Sequence, residues 1–305
     1  MEIIGSANTF LELQTTAVLP LAFGVLAAIV AVFALVMLGV LAFTVVTLPE
    51  PPALFANKPE NWGLHVETVR VGESDAWFVP HPDSERLVIL AHGHNRSKEW
   101  MVPLIHSLSP IANVLAIDLP SHGSLWPGFC TFGVVESEQV LQAVRWAEQS
   151  GFHRIMVAGH SMGGSSSLLA LTREPHDSVD GVATIGSYSS IESVFRSVAS
   201  NLHLPQAPVT WILETASKIA QYDYRRAAPL EHMAELKIPY LAVHGNRDAL
   251  VPPQEAERLV SAAGSTSSLI WYDGGHDEPE NPAIAEALVR FLRVLDDEIS
   301  KPTFH

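Results

Sequence analysis

Gly159-His160-Ser161-Met162-Gly163-Gly164 is the stretch on which the fold of this chain turns. It follows residues 154–158, a short apolar run of strand type, and precedes residues 165–172, which read as a helix. A serine between two glycines at a strand-to-helix turn is the sequence form of a nucleophile elbow. The demand is steric. The serine has to take a backbone conformation that few residues tolerate, and its neighbours two positions away have to lack side chains so that strand and helix can approach. The result is a hydroxyl at the end of a sheet, beside the positive end of a helix. Gly-x-Ser-x-Gly by itself is equally a tight turn, so the flanking chain has to carry the reading.

Working outward, apolar runs recur at residues 87–90, 114–117, 155–158, 182–185, 240–243 and 269–272. Between them lie helix-period patterns at 100–108, 134–149, 165–171, 255–263 and 284–295. Continuous apolar strands alternating with amphipathic helices predict an α/β domain with a mostly parallel sheet and helices on both faces. Residues 64–71 and 76–79, around Gly72-Glu73-Ser74-Asp75, predict an antiparallel hairpin ahead of it. Residues 189–228 interrupt the alternation with helical pieces at 191–198 and 209–220, split by Pro205 and Pro208. They read as a small helical cap over the active-site end.

In such sheets reactive groups gather where strands end. Ser161 follows one strand. A second ends in His244-Gly245-Asn246-Arg247-Asp248, a third in Asp273-Gly274-Gly275-His276-Asp277, and a fourth in Ala91-His92-Gly93-His94-Asn95. Ser161, Asp248 and His276 are the candidate nucleophile, acid and base, with Asp273 and Asp277 as alternative acids. Attack on a carbonyl creates an oxyanion that needs preplaced N–H donors. The backbones of Met162 and His94 are the candidates. His92 reads as a brace for that turn, and His122 and His160 as structural neighbours.

These motifs resemble the α/β-hydrolase family, on its serine-aminopeptidase-like and lysophospholipase-like side, over nearly all of residues 61–295. Trp62-Gly63-Leu64 with Trp77-Phe78-Val79-Pro80 is similar to that family's opening hairpin. Asp118-Leu119-Pro120-Ser121-His122-Gly123-Ser124 is similar to its Asp-x-x-Gly-His-Gly-x-Ser loop, with Ser121 at the first glycine. The order Ser161, Asp248, His276 is that of its triad. The resemblance implies that Ser161 attacks, that His276 takes and returns the proton, and that Asp248 holds His276 in the useful tautomer.

The N-terminal region adds a second theme. No charged residue occurs between Glu12 and Glu50, and residues 21–46 are apolar almost throughout, which lifts the mean hydropathy to +0.20. Twenty-six helical residues span about 39 Å against a hydrocarbon layer of roughly 30 Å. The expected layout is a tail at 1–16, one transmembrane helix at 17–48 with Pro20 near its entry, a proline-rich spacer at 49–61, and the hydrolase domain at 62–300. A cleaved signal peptide fits worse, since it calls for a basic start and a shorter apolar core. Lys58, the one Lys or Arg close to the span, favours a cytoplasmic catalytic domain in a single-pass membrane protein.

A net charge of −15 argues against nucleic-acid binding and against electrostatic docking to anionic lipid. The single cysteine, Cys130, excludes an intrachain disulfide, and nothing around it activates a thiol. His92-Gly93-His94 has metal-ligand spacing, but Asn95-Arg96 follows in place of further ligands, so no metal or cofactor is expected. The functional expectation is a membrane-anchored serine hydrolase that cleaves carboxylic esters. Its substrate is a small or lipid-like acyl ester, suggested by the span and by the cap's apolar residues Val194, Val198, Leu202, Leu204 and Ile212. An aminopeptidase or amidase of the same fold is the alternative, followed by a non-catalytic binding protein.

Overall fold

The structure, a computed structural model, describes residues 3–47, 57–264 and 266–299 of the chain. Helix α1 (Ile3–Thr47) comes first, and strands β1 (Glu67–Val71) and β2 (Ser74–Val79) then form a hairpin. The alternation follows as β3 (Arg86–Ala91), α2 (Val102–Leu108), β4 (Asn113–Ile117), α3 (Glu136–Gln149), β5 (Arg154–His160) and α4 (Met162–Arg173). It continues as β6 (Val179–Ile185), α5 (Ile191–Asn201), α6 (Ala207–Ala220), β7 (Tyr240–Gly245), α7 (Gln254–Ala263), β8 (Ser267–Tyr272) and α8 (Pro282–Ile299). Among the described residues the strands form one sheet in the order β1-β2-β4-β3-β5-β6-β7-β8. The β1–β2 and β2–β4 pairs are antiparallel and every other pair is parallel.

The central strands are apolar on both sides because both faces are covered. On β3, Leu87, Ile89 and Ala91 enter one core and Val88 and Leu90 the other; on β5, Ile155 and Val157 oppose Met156 and Ala158 in the same way. The first core contains residues of α3, α4, α7, the cap and the end of α1, and the second those of α2 and α8. The period-two alternation of a strand therefore feeds two hydrophobic layers.

The strands lie where the apolar runs predict them, with small shifts at the hairpin. β1 begins at Glu67 rather than residue 64, and β2 at Ser74 rather than residue 76, leaving Gly72-Glu73 as a two-residue turn with Gly72 at φ +58°.

The N-terminal layout differs from expectation. α1 starts at Ile3, so the residues expected to form a tail continue the helix, and Pro20 lies inside it rather than at its entry. Nothing else before Pro49 breaks a helix. Residues 48–56, with most of the expected spacer, lie outside the described residues. Its last part is no loose linker. Residues Pro59–Trp62 make a 3-10 turn, Pro59 is buried, and the Trp62 ring meets His106 edge-on at 5.4 Å.

The cap holds two helices in contact, α5 and α6, inserted between β6 and β7. Ser190 caps α5 by accepting the Ser193 N–H. Buried Glu255 of α7 ties the cap down, accepting the Ser189 N–H at 2.8 Å and the hydroxyls of Ser189 (2.5 Å) and Ser193 (2.8 Å). Of the apolar cap residues singled out above, Val194 and Ile212 are buried in the core and Val198 packs against it, while Leu202 and Leu204 are exposed. The cap's amphipathic faces thus serve mainly its own packing.

Candidate active site

Ser161 sits between β5 and α4 at φ +50°, ψ −114°. Both sides of this strained residue are pinned: its N–H donates to Ile185 O at 2.8 Å, and its carbonyl accepts the Ser165 N–H and the Ser187 hydroxyl, each at 3.0 Å. The two glycines are required for the reason anticipated. A Cβ on Gly159 would stand 2.4 Å from Gly163 C, and one on Gly163 would stand 2.3 Å from Ala91 O.

The structure brings together the three residues predicted from strand ends. His276 Nε2 is 3.0 Å from Ser161 Oγ, and His276 Nδ1 is 2.6 Å from Asp248 Oδ2. Since the carboxylate accepts, Nδ1 carries the proton and Nε2 faces the hydroxyl with a lone pair. Asp248 is aimed by its own loop, because its Oδ1 accepts the N–H groups of Leu250 (3.0 Å) and Val251 (2.8 Å). The alternative acids point elsewhere. Asp273 pairs with Arg247 at 3.3 Å and Asp277 with Arg96 at 3.2 Å.

Met162 is the first residue of α4, where a helix leaves its amides without internal partners. The His94 N–H has no protein acceptor among the described residues. His92 braces this turn: its Nδ1–H donates to Gly93 O (2.7 Å) and its Nε2 accepts the Leu119 N–H (3.0 Å). His122 does the same one step out, donating to Pro120 O (2.8 Å) and accepting the Asn95 N–H (3.1 Å). Burial and the neighbouring His122, Arg96 and His92 charges push the His94 imidazole down to about 3, so it is neutral near pH 7.

Under the turn lies Asp118, which accepts the Lys98 N–H (2.9 Å), the Lys98 Nζ (2.5 Å) and the Ser124 N–H (2.8 Å). Ser121, at the position where the resemblance calls for glycine, takes φ +68°, so the loop keeps the left-handed turn at some strain.

His160 is the structural neighbour that the sequence suggests, whereas the places of Glu278 and Cys130 in the site were missed by sequence reasoning. His160 donates from Nε2 to His276 O at 2.9 Å and stacks on Trp100 with ring centroids 4.2 Å apart. It therefore holds the base's own backbone. Glu278 accepts the Gly275 N–H at 2.6 Å and shapes the loop carrying His276. Cys130 Sγ lies 3.4 Å from both His94 Nδ1 and Met162 Sδ, beneath the two oxyanion candidates. Burial, then Glu136, raises the Cys130 thiol well above its ordinary range, which keeps it protonated. No local pattern marks Glu278 or Cys130, because each acts through a partner distant in sequence or across a loop.

Among the described residues, two clusters place metal-ligating atoms within 4.8 Å of one another: His94, His122 and Cys130, and His160, His276 and Asp277. Their lone pairs are largely committed. His122 Nε2 accepts Asn95, the Cys130 thiol is protonated, His160 Nε2 donates, and His276 joins Ser161 to Asp248. The donor set suits proton transfer better than a cation.

The fold as a whole has solved counterparts. The esterase Pf2001 of Pyrococcus furiosus superimposes with a TM-score of 0.64 at 21% identity, over 82% of this chain and 97% of its own. The chain has the α/β-hydrolase fold. A membrane phospholipase A, described as a bacterial virulence factor, superimposes on this chain with a TM-score of 0.58 at 18% identity. That match covers 91% of this chain and 98% of the other. The prolyl oligopeptidase family model matches residues 131–276, a stretch that holds Ser161, Asp248 and His276. Among curated proteins, the uncharacterized protein Rv2307c of Mycobacterium tuberculosis is 26% identical over 291 residues, 87% of this chain and 94% of its own.

Proposed function

We propose that this α/β-hydrolase is a membrane-anchored carboxylic ester hydrolase working through Ser161, His276 and Asp248. The family match and the esterase and phospholipase neighbours support a serine hydrolase of this fold. The observation that carries the finer reading is His276 bridging Ser161 Oγ and Asp248 Oδ2 at 3.0 and 2.6 Å. Ser161 Oγ attacks the carbonyl carbon as its proton passes to His276 Nε2. Asp248, holding Nδ1–H, stabilises the resulting imidazolium. The carbonyl oxygen becomes an oxyanion, received by the N–H groups of Met162 and His94; losing one such donor typically costs about 2.7–4 kcal/mol of barrier. The alcohol leaves with the proton from His276, and water repeats the sequence on the acyl-enzyme to release the acid.

An ester is favoured over an amide because an alkoxide leaves more readily and the described residues show no site for an amino terminus. A lipid-like ester is favoured by the apolar helix, whose described span Phe23–Thr47 is long and apolar enough to cross a bilayer and is mostly exposed. The phospholipase match points the same way, since residues after the spacer cannot by themselves fill 91% of the chain, so it reaches into α1. Lys58 is the ground for a cytoplasmic catalytic domain. Protease accessibility on intact cells tests that side.

The prolyl oligopeptidase match favours a second reading, a peptidase. One experiment separates them. Fluorophosphonate labelling of the wild type, absent in Ser161→Ala, establishes the nucleophile; p-nitrophenyl esters of rising acyl length are then compared with aminoacyl anilides. Turnover of the anilides alone, or ester rates that fall as the acyl chain lengthens, would count against a lipid-like ester.

A further inference from the structure

The last turns of α1 belong to the hydrolase domain. Ala42 and Val46 are 0% and 1% exposed and share a core with Val209, Ile212, Leu213 and Ala216 of the cap helix α6, while Leu38 and Val45 pack partly against it. Positions 38, 42, 45 and 46 form one helical face. The Val46 carbonyl also accepts the Cys130 N–H at 3.0 Å. A leader peptide removed after export would take these core contacts with it, so the packing argues for a retained anchor. Upstream the helix is bare: Phe23 to Leu41 is almost wholly exposed and apolar. Those residues span about 28 Å at 1.5 Å each, close to a hydrocarbon layer of roughly 30 Å. The bilayer surface then falls where docking begins.

The same end of the domain carries most of its bare apolar side chains. Beyond α1, seven of the ten exposed large hydrophobic residues described belong to the cap or to loops at the carboxyl ends of the strands. Trp126 and Phe129 stand just ahead of Cys130, Leu202 and Leu204 follow α5, Trp211 lies on α6, and Leu250 adjoins Asp248. Asn201 Nδ2 donates to Ala249 O at 2.9 Å, which draws the end of α5 to the Asp248 loop. A rim of tryptophan, phenylalanine and leucine continuous with a membrane helix has the chemistry of a lipid interface. It is an apolar contact, as the −15 charge requires.

We infer that the cap and the Trp126–Phe129 loop rest on the leaflet from which α1 emerges, so that the mouth over Ser161 opens onto lipid. The substrate class is then a long-chain acyl ester taken directly from the bilayer. This rests on the anchored ester-hydrolase reading and adds to it where the substrate comes from.

The full-length protein in phosphatidylcholine vesicles brominated on the acyl chains tests the docking, because α1 contains no tryptophan. Quenching of intrinsic fluorescence should shrink in the Trp126→Phe, Trp211→Phe double variant and stay unchanged in Trp271→Phe, whose exposed ring lies on β8. Equal quenching in the double variant and the wild type would overturn the inference. The second arm replaces Leu202 and Leu204 by glutamate; both are more than half exposed, so the fold tolerates the charges. Hydrolysis of a short soluble ester should stay within about twofold, whereas a long-chain ester presented in vesicles should be cleaved at least about tenfold more slowly. Loss on neither substrate, or equal loss on both, would sink the lipid-facing mouth. If the quenching behaves as stated but the wild type cleaves no ester, the ester-hydrolase reading fails and the docking stands.

Discussion

The backbone N–H of Cys130 donates to the carbonyl oxygen of Val46 across 3.0 Å, joining the end of the apolar helix to the floor of the candidate active site. That carbonyl is one of the four that a helix leaves unpaired at its C-terminus. The Cys130 side chain continues the connection, with Sγ 3.4 Å from His94 Nδ1 and 3.4 Å from Met162 Sδ. The apolar helix and the two candidate oxyanion donors are therefore two contacts apart.

Val46→Ala removes two buried methyl groups, worth about 1.6 kcal/mol at about 0.8 each. The urea midpoint in detergent should fall accordingly, and the rate of fluorophosphonate labelling at Ser161 should fall with it. Val30→Ala, on the exposed part of the helix, should change neither.

Ser161→Ala should abolish fluorophosphonate labelling and lower ester turnover by at least about 10⁴-fold. Asp248→Asn keeps the shape but favours the wrong tautomer of His276, and turnover should drop about 10⁴-fold while the protein stays folded. Near-normal rates in either variant would remove these residues from the mechanism.

Stability should depend on acid through His92. Burial, then the charge of His122, holds its imidazole far below the ordinary value of about 6.5. The folded state binds fewer protons than the unfolded one below that value. The contribution is complete above pH 6.5 and is lost as pH falls, at up to about 1.36 kcal/mol per pH unit. Unfolding free energy should therefore drop by about 2 kcal/mol between pH 7 and pH 5 from this residue. His92→Gln keeps an acceptor for the Leu119 N–H and should flatten the profile by that amount.

Ser121→Gly relieves a left-handed residue at φ +68°. The strain of about 1–2 kcal/mol exceeds the entropic cost of glycine, about 0.5–1, so thermal unfolding should show a gain of up to about 1 kcal/mol. Ser121→Val should be destabilising at the same site.

Asp118→Ala leaves Lys98 buried without its partner and should cost about 3–5 kcal/mol in denaturant unfolding. The oxyanion turn, which leans on the loop after Asp118 through His92 and His122, should loosen, and ester turnover should fall with it.

Much of this was legible locally. Apolar runs bounded by turn residues marked the strands within a few positions, because a strand buried on both faces has to be apolar throughout. Gly159, Ser161 and Gly163 announced the elbow, since a strained turn at a close strand–helix approach admits few other residues. Pro20, Trp62 and Cys130 were less readable. Whether a proline is carried inside a helix, a tryptophan closes onto a domain, or a cysteine lies under a turn depends on what packs against it.

The sequence by itself determined the alternating strand–helix order, the candidate site residues at the strand ends, and a segment apolar enough to cross a bilayer, all from patterns within a few turns of chain. Only the tertiary structure decided that His276 reaches across 115 positions to Ser161 while holding Asp248, and that the apolar helix ends as a packed part of the cap against Cys130. Periodicity reports which face of an element is buried. It does not report against what, because that is settled by side-chain shape and by the search for hydrogen-bond partners once the layers close.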